Sequence, residues 1–80
     1  MKAKIYVTLK NGVLDPQGKA IEGSLGHLGF DGVQAVRQGK FIEVDLVDMD
    51  EAKATEKVDA MCKKLLANTV IENYTFELVA

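Results

Sequence analysis

The sequence has one cysteine, one histidine, one proline and no tryptophan. A lone thiol, Cys62, cannot close an intrachain disulfide, which suits a reducing cytoplasm, and no second cysteine or histidine stands at metal-ligand spacing. No apolar run reaches the length that spans a bilayer. The opening stretch MKAKIYVTLK alternates polar with apolar where a signal peptide would be continuously apolar. A soluble, cytoplasmic, unprocessed chain without a membrane partner is expected. An excess of one charge is also missing: 10 Lys and Arg are interspersed with 12 Asp and Glu, for a formal net charge of −2. That leaves no basic stripe for a phosphate backbone and argues against nucleic acid. Gly12, Gly18 and Gly23 have neither a Gly-Lys-Ser/Thr ending nor GxGxxG spacing, so no phosphate-binding loop is written here.

What is present is an ordinary globular composition, 48% hydrophobic and 28% charged over 80 residues, the size of one domain. Chains of this length bury only about 60–65% of the surface that their unfolded form exposes. The core is therefore marginal on its own, and oligomerisation is expected.

Ala3, Ile5, Val7 and Leu9 alternate with Lys4, Tyr6, Thr8 and Lys10, the period of a strand with one buried face. Asn11-Gly12 is a turn dipeptide. Asp15 can cap a helix that starts at Pro16, since proline has no amide to leave unpaired there. Ile21, Leu25 and Leu28 then share one helical face. Gly18, Gly23 and Gly26 weaken that helix and allow another backbone to approach, and Gly29 is placed to end it. In VQAVRQGKFIEVDLV, Gln38-Gly39 sits between two strand-forming runs and reads as a hairpin turn, with Ile42, Val44 and Leu46 on one face of the second strand. Asp48 and Glu51 form a capping-box pattern before a second helix whose stripe is Ala54, Val58, Met61, Cys62 and Leu65. Asn68 can stop it in the left-handed conformation, and Tyr74, Phe76 and Leu78 line one side of a last strand.

The order is βαββαβ: an α+β, ferredoxin-like single domain over residues 1–80, with two helices on one face of an antiparallel sheet. The other face would carry Tyr6, Thr8, Val36 and Phe41 among charges and is expected to meet a second subunit. The last strand has a free edge that could pair in its own sheet or in a neighbour's.

Catalytic constellations are scarce. His27 lies at the margin of the Leu28 face without ligand-spaced partners, and Cys62 belongs to an apolar stripe. Glu43 and Asp45 share a strand face at about 7 Å, but no base or nucleophile accompanies them, and alternating charge is the ordinary dress of an outward face. Arg37 and Lys40, either side of Gly39, offer two positive charges to an acidic partner or simply to water. The βαββαβ order is shared with RNA-recognition motifs, yet KFIEVDLV presents one aromatic flanked by acids, not a base-stacking platform.

Three stretches carry a more specific resemblance. GVLDPQGKA, VRQGKFIEVDL and CKKLLANTVIENYTFEL, in this order and over essentially the whole chain, resemble the PurS family, the small subunit of phosphoribosylformylglycinamidine (FGAM) synthase. The resemblance implies a subunit without chemistry of its own. It would hold no catalytic residue, cofactor or metal, and would join a glutaminase subunit to a large synthetase subunit that uses ATP and Mg²⁺, supporting ammonia transfer in purine biosynthesis. It also implies a homodimer or a dimer of dimers. Leu9-Lys10-Asn11-Gly12 departs from the family's habit of a proline before the lysine, which bears on the shape of that loop alone.

On this reading, partner contacts fall on Val13, Leu14, Asp15, Pro16 and Gln17 in the first loop, and on Arg37, Gln38, Gly39 and Lys40 at the turn. Asn68, Thr69, Val70, Ile71 and Glu72 form a third patch. Caps and turns account for Asp15, Pro16, Gly39 and Asn68, but they leave Val13, Leu14 and Arg37 unexplained. The alternative is an ACT-type amino-acid-binding regulatory module, which has the same element order and would use Gly12 to open an effector pocket.

Overall fold

A computed structural model describes residues 1–80. Its elements are β1 (Lys2–Leu9), α1 (Pro16–His27), β2 (Gly39–Asp45), α2 (Glu51–Met61), a one-turn π-helix (Cys62–Leu66) and β3 (Glu72–Val79). The strands form one antiparallel sheet in the order β2-β1-β3. Alternation in β1 works as the sequence implies: Ala3, Ile5 and Val7 are buried on one face. They sit opposite Val44, Ile42 and Lys40 of β2 and opposite Leu78, Phe76 and Tyr74 of β3. Val58, Cys62 and Ala67 close the core over them.

The α+β class and the antiparallel sheet are as expected, but the order is βαβαβ, because residues 33–38 form no strand. Two observations explain the missing hairpin. The Gln38 N–H donates to Asp15 Oδ2 at 2.9 Å, and Arg37 donates to Asn11 Oδ1 at 3.2 Å. The segment is thereby committed to the start of α1 and does not return along β2. Gly39 is not a turn glycine either, since positive φ occurs only at Gly12, Gly29 and Gly32. Its function is close approach: a Cβ there would lie 2.2 Å from the Val7 carbonyl oxygen of β1. Val36 consequently lies off the sheet, and the outer face is carried by Tyr6 and Phe41, whose rings stack at 5.2 Å.

α1 starts and stops where its residues dictate. Asp15 Oδ1 accepts from the Gly18 N–H at 2.9 Å, and Pro16 opens the first turn. At the other end Gly29, with φ +89°, donates to Gly26, and Phe30 donates to Leu25, the paired bonds of a Schellman stop. Gly18 is the glycine that admits another backbone, with Val36 O 2.6 Å from where its Cβ would be, whereas Gly23 and Gly26 face open space.

Three local expectations about the second helix change. Its N-cap is Asp50, not Asp48, which instead accepts from the N-terminal ammonium of Met1 at 3.2 Å. The helix ends in a wider turn, closed by the Ala67 N–H on Cys62 O at 2.9 Å. That turn brings Leu66 onto the core and leaves Leu65 82% exposed. Asn68 is not left-handed; its side chain accepts from the Val70 N–H at 3.1 Å, an Asx turn.

The two helices are not equivalent. α2 packs on the sheet along β3, and no other regular element packs extensively against α1. The molecule is correspondingly long, 48 × 26 × 15 Å. No helix is long and apolar enough to cross a membrane.

Candidate functional site

Antiparallel pairing sets Thr8 against Gly39 and Leu9 against Glu72, so the C-terminal end of β1 and the N-terminal ends of β2 and β3 lie together. This end of the sheet gathers the three candidate segments, 13–17, 37–40 and 68–72, which are far apart in sequence. Asp15 is their knot. One carboxylate oxygen caps α1 through Gly18 and the other takes the Gln38 N–H, both at 2.9 Å. Those two amides, Gln38 first, hold the carboxyl below its ordinary value, and the Arg37 charge adds to the effect. Gln17 and Gln38 join side chain to side chain at 2.6 Å.

The third segment is tied in by backbone and charge. The Lys10 N–H donates to Ile71 O at 2.8 Å. Glu72 accepts from the Asn68 N–H at 2.6 Å and stands 3.8 Å from Lys40 Nζ, which also donates to Leu66 O at 3.4 Å. Two shallow clefts flank Asp15. One, of about 360 Å³, lies between Gln17, Gln38, Lys40 and Glu72. The other, of about 220 Å³, lies between Lys10, Leu14, Lys19 and Arg37.

Val13 is half-buried, its N–H on Lys10 O at 3.2 Å. Its neighbour Leu14 is 73% exposed and Val70 is 81% exposed, while Ile71 and Thr69 are also open to solvent. Leu14, Val70 and Ile71 are apolar side chains set on a hydrogen-bonded polar framework. Fixed backbone, exposed aliphatic groups and flanking Arg37 and Lys40 are the ingredients of a contact surface. Residues that sequence reasoning left out of this end are Lys10, Lys19 and Glu22; nothing in their local pattern distinguishes them from solvated charges, and only the fold brings them to the cleft. The titratable groups singled out elsewhere stand apart from it. Cys62 is fully buried under the sheet, its thiol pushed up by burial and then by Asp59, and His27 is exposed in the last turn of α1.

The PurS family profile, described as phosphoribosylformylglycinamidine (FGAM) synthase, matches residues 2–80. A PurS subunit of that synthase from Synechocystis is 57% identical over 77 residues, covering 96% of this chain and 77% of the relative. The Bacillus subtilis PurS structure superposes with a TM-score of 0.82 at 46% identity, covering 95% of this chain and 94% of the other. A chain in the structure of PurLQS from Thermotoga maritima superposes with a TM-score of 0.86 at 35% identity, covering 95% of this chain and 93% of that one. These relatives are PurS subunits, and none is an ACT-type module. With the family profile matched from Lys2 to Ala80, this chain belongs to the PurS family of phosphoribosylformylglycinamidine synthase.

Proposed function

We propose that this chain is the non-catalytic small subunit of FGAM synthase in purine biosynthesis, and that the gathered end of its sheet docks on the other subunits. The observation that carries this reading is the likeness, over nearly the whole length of both chains, to a chain in the PurLQS structure. The exposed Leu14 and Val70, set on a hydrogen-bonded frame, support the location of the contact. ATP and Mg²⁺ belong to the synthetase subunit, glutamine to the glutaminase subunit, and neither set to this chain. The place of work is the cytoplasm, where the single buried thiol suits a reducing medium.

The physical reason for such a subunit is ammonia. Free ammonia is largely protonated at neutral pH and then not nucleophilic, so its source and its acceptor must be held together and shielded from water. Holding them also removes the entropic cost of a diffusional encounter. Reconstitution of FGAM formation from the synthetase and glutaminase subunits, with and without this chain, tests the reading. Glutamine-driven synthesis should require the chain, and ammonium-driven synthesis should need it far less. If neither rate responds to the chain, the reading fails.

A further inference from the structure

Charge is not evenly matched across the gathered end of the sheet. In the larger cleft Lys40 faces Glu72 at 3.8 Å. The smaller cleft, of about 220 Å³, is lined by three cations, Lys10, Lys19 and Arg37, and by two carboxylates, Asp15 and Glu22. Lys19 stands 3.6 Å from Glu22, and Asp15 uses both oxygens on the Gly18 and Gln38 amides. That leaves Lys10, which follows β1, and Arg37, which precedes β2. Neither forms an ion pair within the chain. Arg37 gives one N–H to Asn11 Oδ1 at 3.2 Å, and the other donors of its fork have no partner in the chain.

Two features say what would fill this cleft. Three cations over two carboxylates leave one positive charge, the complement of a monoanion, whereas a phosphate dianion would also be set against Asp15 and Glu22. The planar guanidinium fork of Arg37 suits a carboxylate, which can accept two parallel N–H bonds from it. The cleft is also smaller than the roughly 300–1,000 Å³ of sites that enclose a free small molecule, and it opens beside Leu14, which is 73% exposed. A free carboxylic acid would meet the charge and leave Leu14 in water. A carboxylate carried by a protein surface, with an apolar residue beside it, meets both.

We propose that an Asp or Glu side chain of another synthase subunit enters the cleft between Lys10 and Arg37, its carboxylate on the Arg37 fork, while an apolar residue next to it rests on Leu14. The proposal rests on the reading of this chain as a subunit of FGAM synthase and adds the chemistry of the surface it meets. A charge pair at such a rim steers the encounter and fixes its register, and salt screens it.

The test is the affinity of the chain for the synthetase and glutaminase subunits together, with glutamine, ATP and Mg²⁺ present, titrated at low and at high sodium chloride. Wild-type affinity should fall as salt rises. Lys10→Gln/Arg37→Gln should weaken binding at low salt about tenfold or more and flatten the salt dependence. Lys53→Gln/Lys57→Gln, which removes the same charge from exposed positions of α2, should change neither. Unchanged affinity in the Lys10/Arg37 variant, or an equal loss in both variants, overturns the proposal and leaves the synthase reading standing. A wild type that binds neither subunit overturns both. Should the double variant fail to fold, Lys10→Gln alone decides, because its ammonium has no ion pair in the chain to lose, and a severalfold loss at low salt is expected. Inorganic phosphate is also titrated into the free chain against chloride at matched ionic strength, with amide chemical shifts as the readout. Phosphate should move the cleft amides no more than chloride does. Saturable shifts confined to the cleft would mean a phosphate site and would overturn the carboxylate assignment.

Discussion

α1 and α2 are close in length, 12 and 11 residues, and both have apolar residues at helical spacing, yet α2 buries Ala54 and Val58 whereas α1 buries only Gly18. The difference lies in what each helix meets. α2 follows β2 directly and turns back onto β1 and β3, where Tyr74 fastens it by donating to Asp59 at 2.5 Å. α1 is aimed away by its own cap, because Asp15 binds both Gly18 and Gln38. Amphipathicity makes a helix, but the hydrogen bonds at its ends decide whose surface it covers. One half of the molecule is finished within the chain, and the other leaves Ile21 and Leu28 of its helix exposed.

The sharpest way to break this contrast is truncation in each half. Ile5→Ala in the sheet should cost about 2–5 kcal/mol by denaturant titration. Leu28→Ala in α1, measured at dilutions that keep the chain single, should change the same transition by less than about 0.5 kcal/mol. Equal costs would mean that α1 is part of the core after all. Glycine exchange should give opposite signs. Gly39→Ala forces β1 and β2 apart and should cost about 1–3 kcal/mol, while Gly23→Ala, with nothing within 4 Å of the new methyl, should stabilise by up to about 1 kcal/mol. A loss at Gly23 would place α1 against something within the chain.

Smaller effects depend on pH. The bond to Asp59, with burial second, pushes Tyr74 up to about 12 from 10.0. A folded value above the unfolded one means stability that is complete below pH 10 and lost as pH rises toward 12. Melting temperature should fall across that window in the wild type and fall less in Tyr74→Phe. Asp15 has the opposite sign. Its carboxyl is held below the ordinary 3.8, so its contribution is complete above that value and lost as pH falls through the folded value. Acidification through that value should loosen α1, as helix-resolved hydrogen exchange would register, and Asp15→Asn should weaken α1 already at neutral pH. An α1 whose exchange is the same in wild type and Asp15→Asn would remove Asp15 as its anchor.

Much of the sheet and of α1 is legible in local pattern. Alternation marked β1, β2 and β3. Asp15-Pro16 and Gly29 marked both ends of α1, because caps and stops depend on residues within a turn of each other. The hairpin at Gln38-Gly39 was misleading: the dipeptide has turn chemistry, but Gly39 is needed against Val7, and Gln38 is claimed by a carboxylate 23 residues away. Leu65 and Leu66 exchanged places because a single π turn, invisible to a fixed helical period, rotates the stripe. The candidate residues fall in three separate segments of the sequence. Their gathering around Asp15, together with Lys10 and Lys19, depends on strand register between residues as distant as Leu9 and Glu72, which no local pattern encodes.

The central claim is that the gathered end of the sheet is where this subunit meets its partners. It is tested most directly by Leu14→Ser/Val70→Ser, assayed in the reconstituted synthase with glutamine or ammonium as nitrogen source. Both side chains are exposed, so the fold and melting temperature should be kept. Glutamine-driven synthesis at limiting subunit concentration should fall about tenfold or more, the scale of losing two apolar contacts from an interface core, with the ammonium-driven rate little changed. Full glutamine-driven activity at every subunit concentration would contradict the account and move the contact to another face.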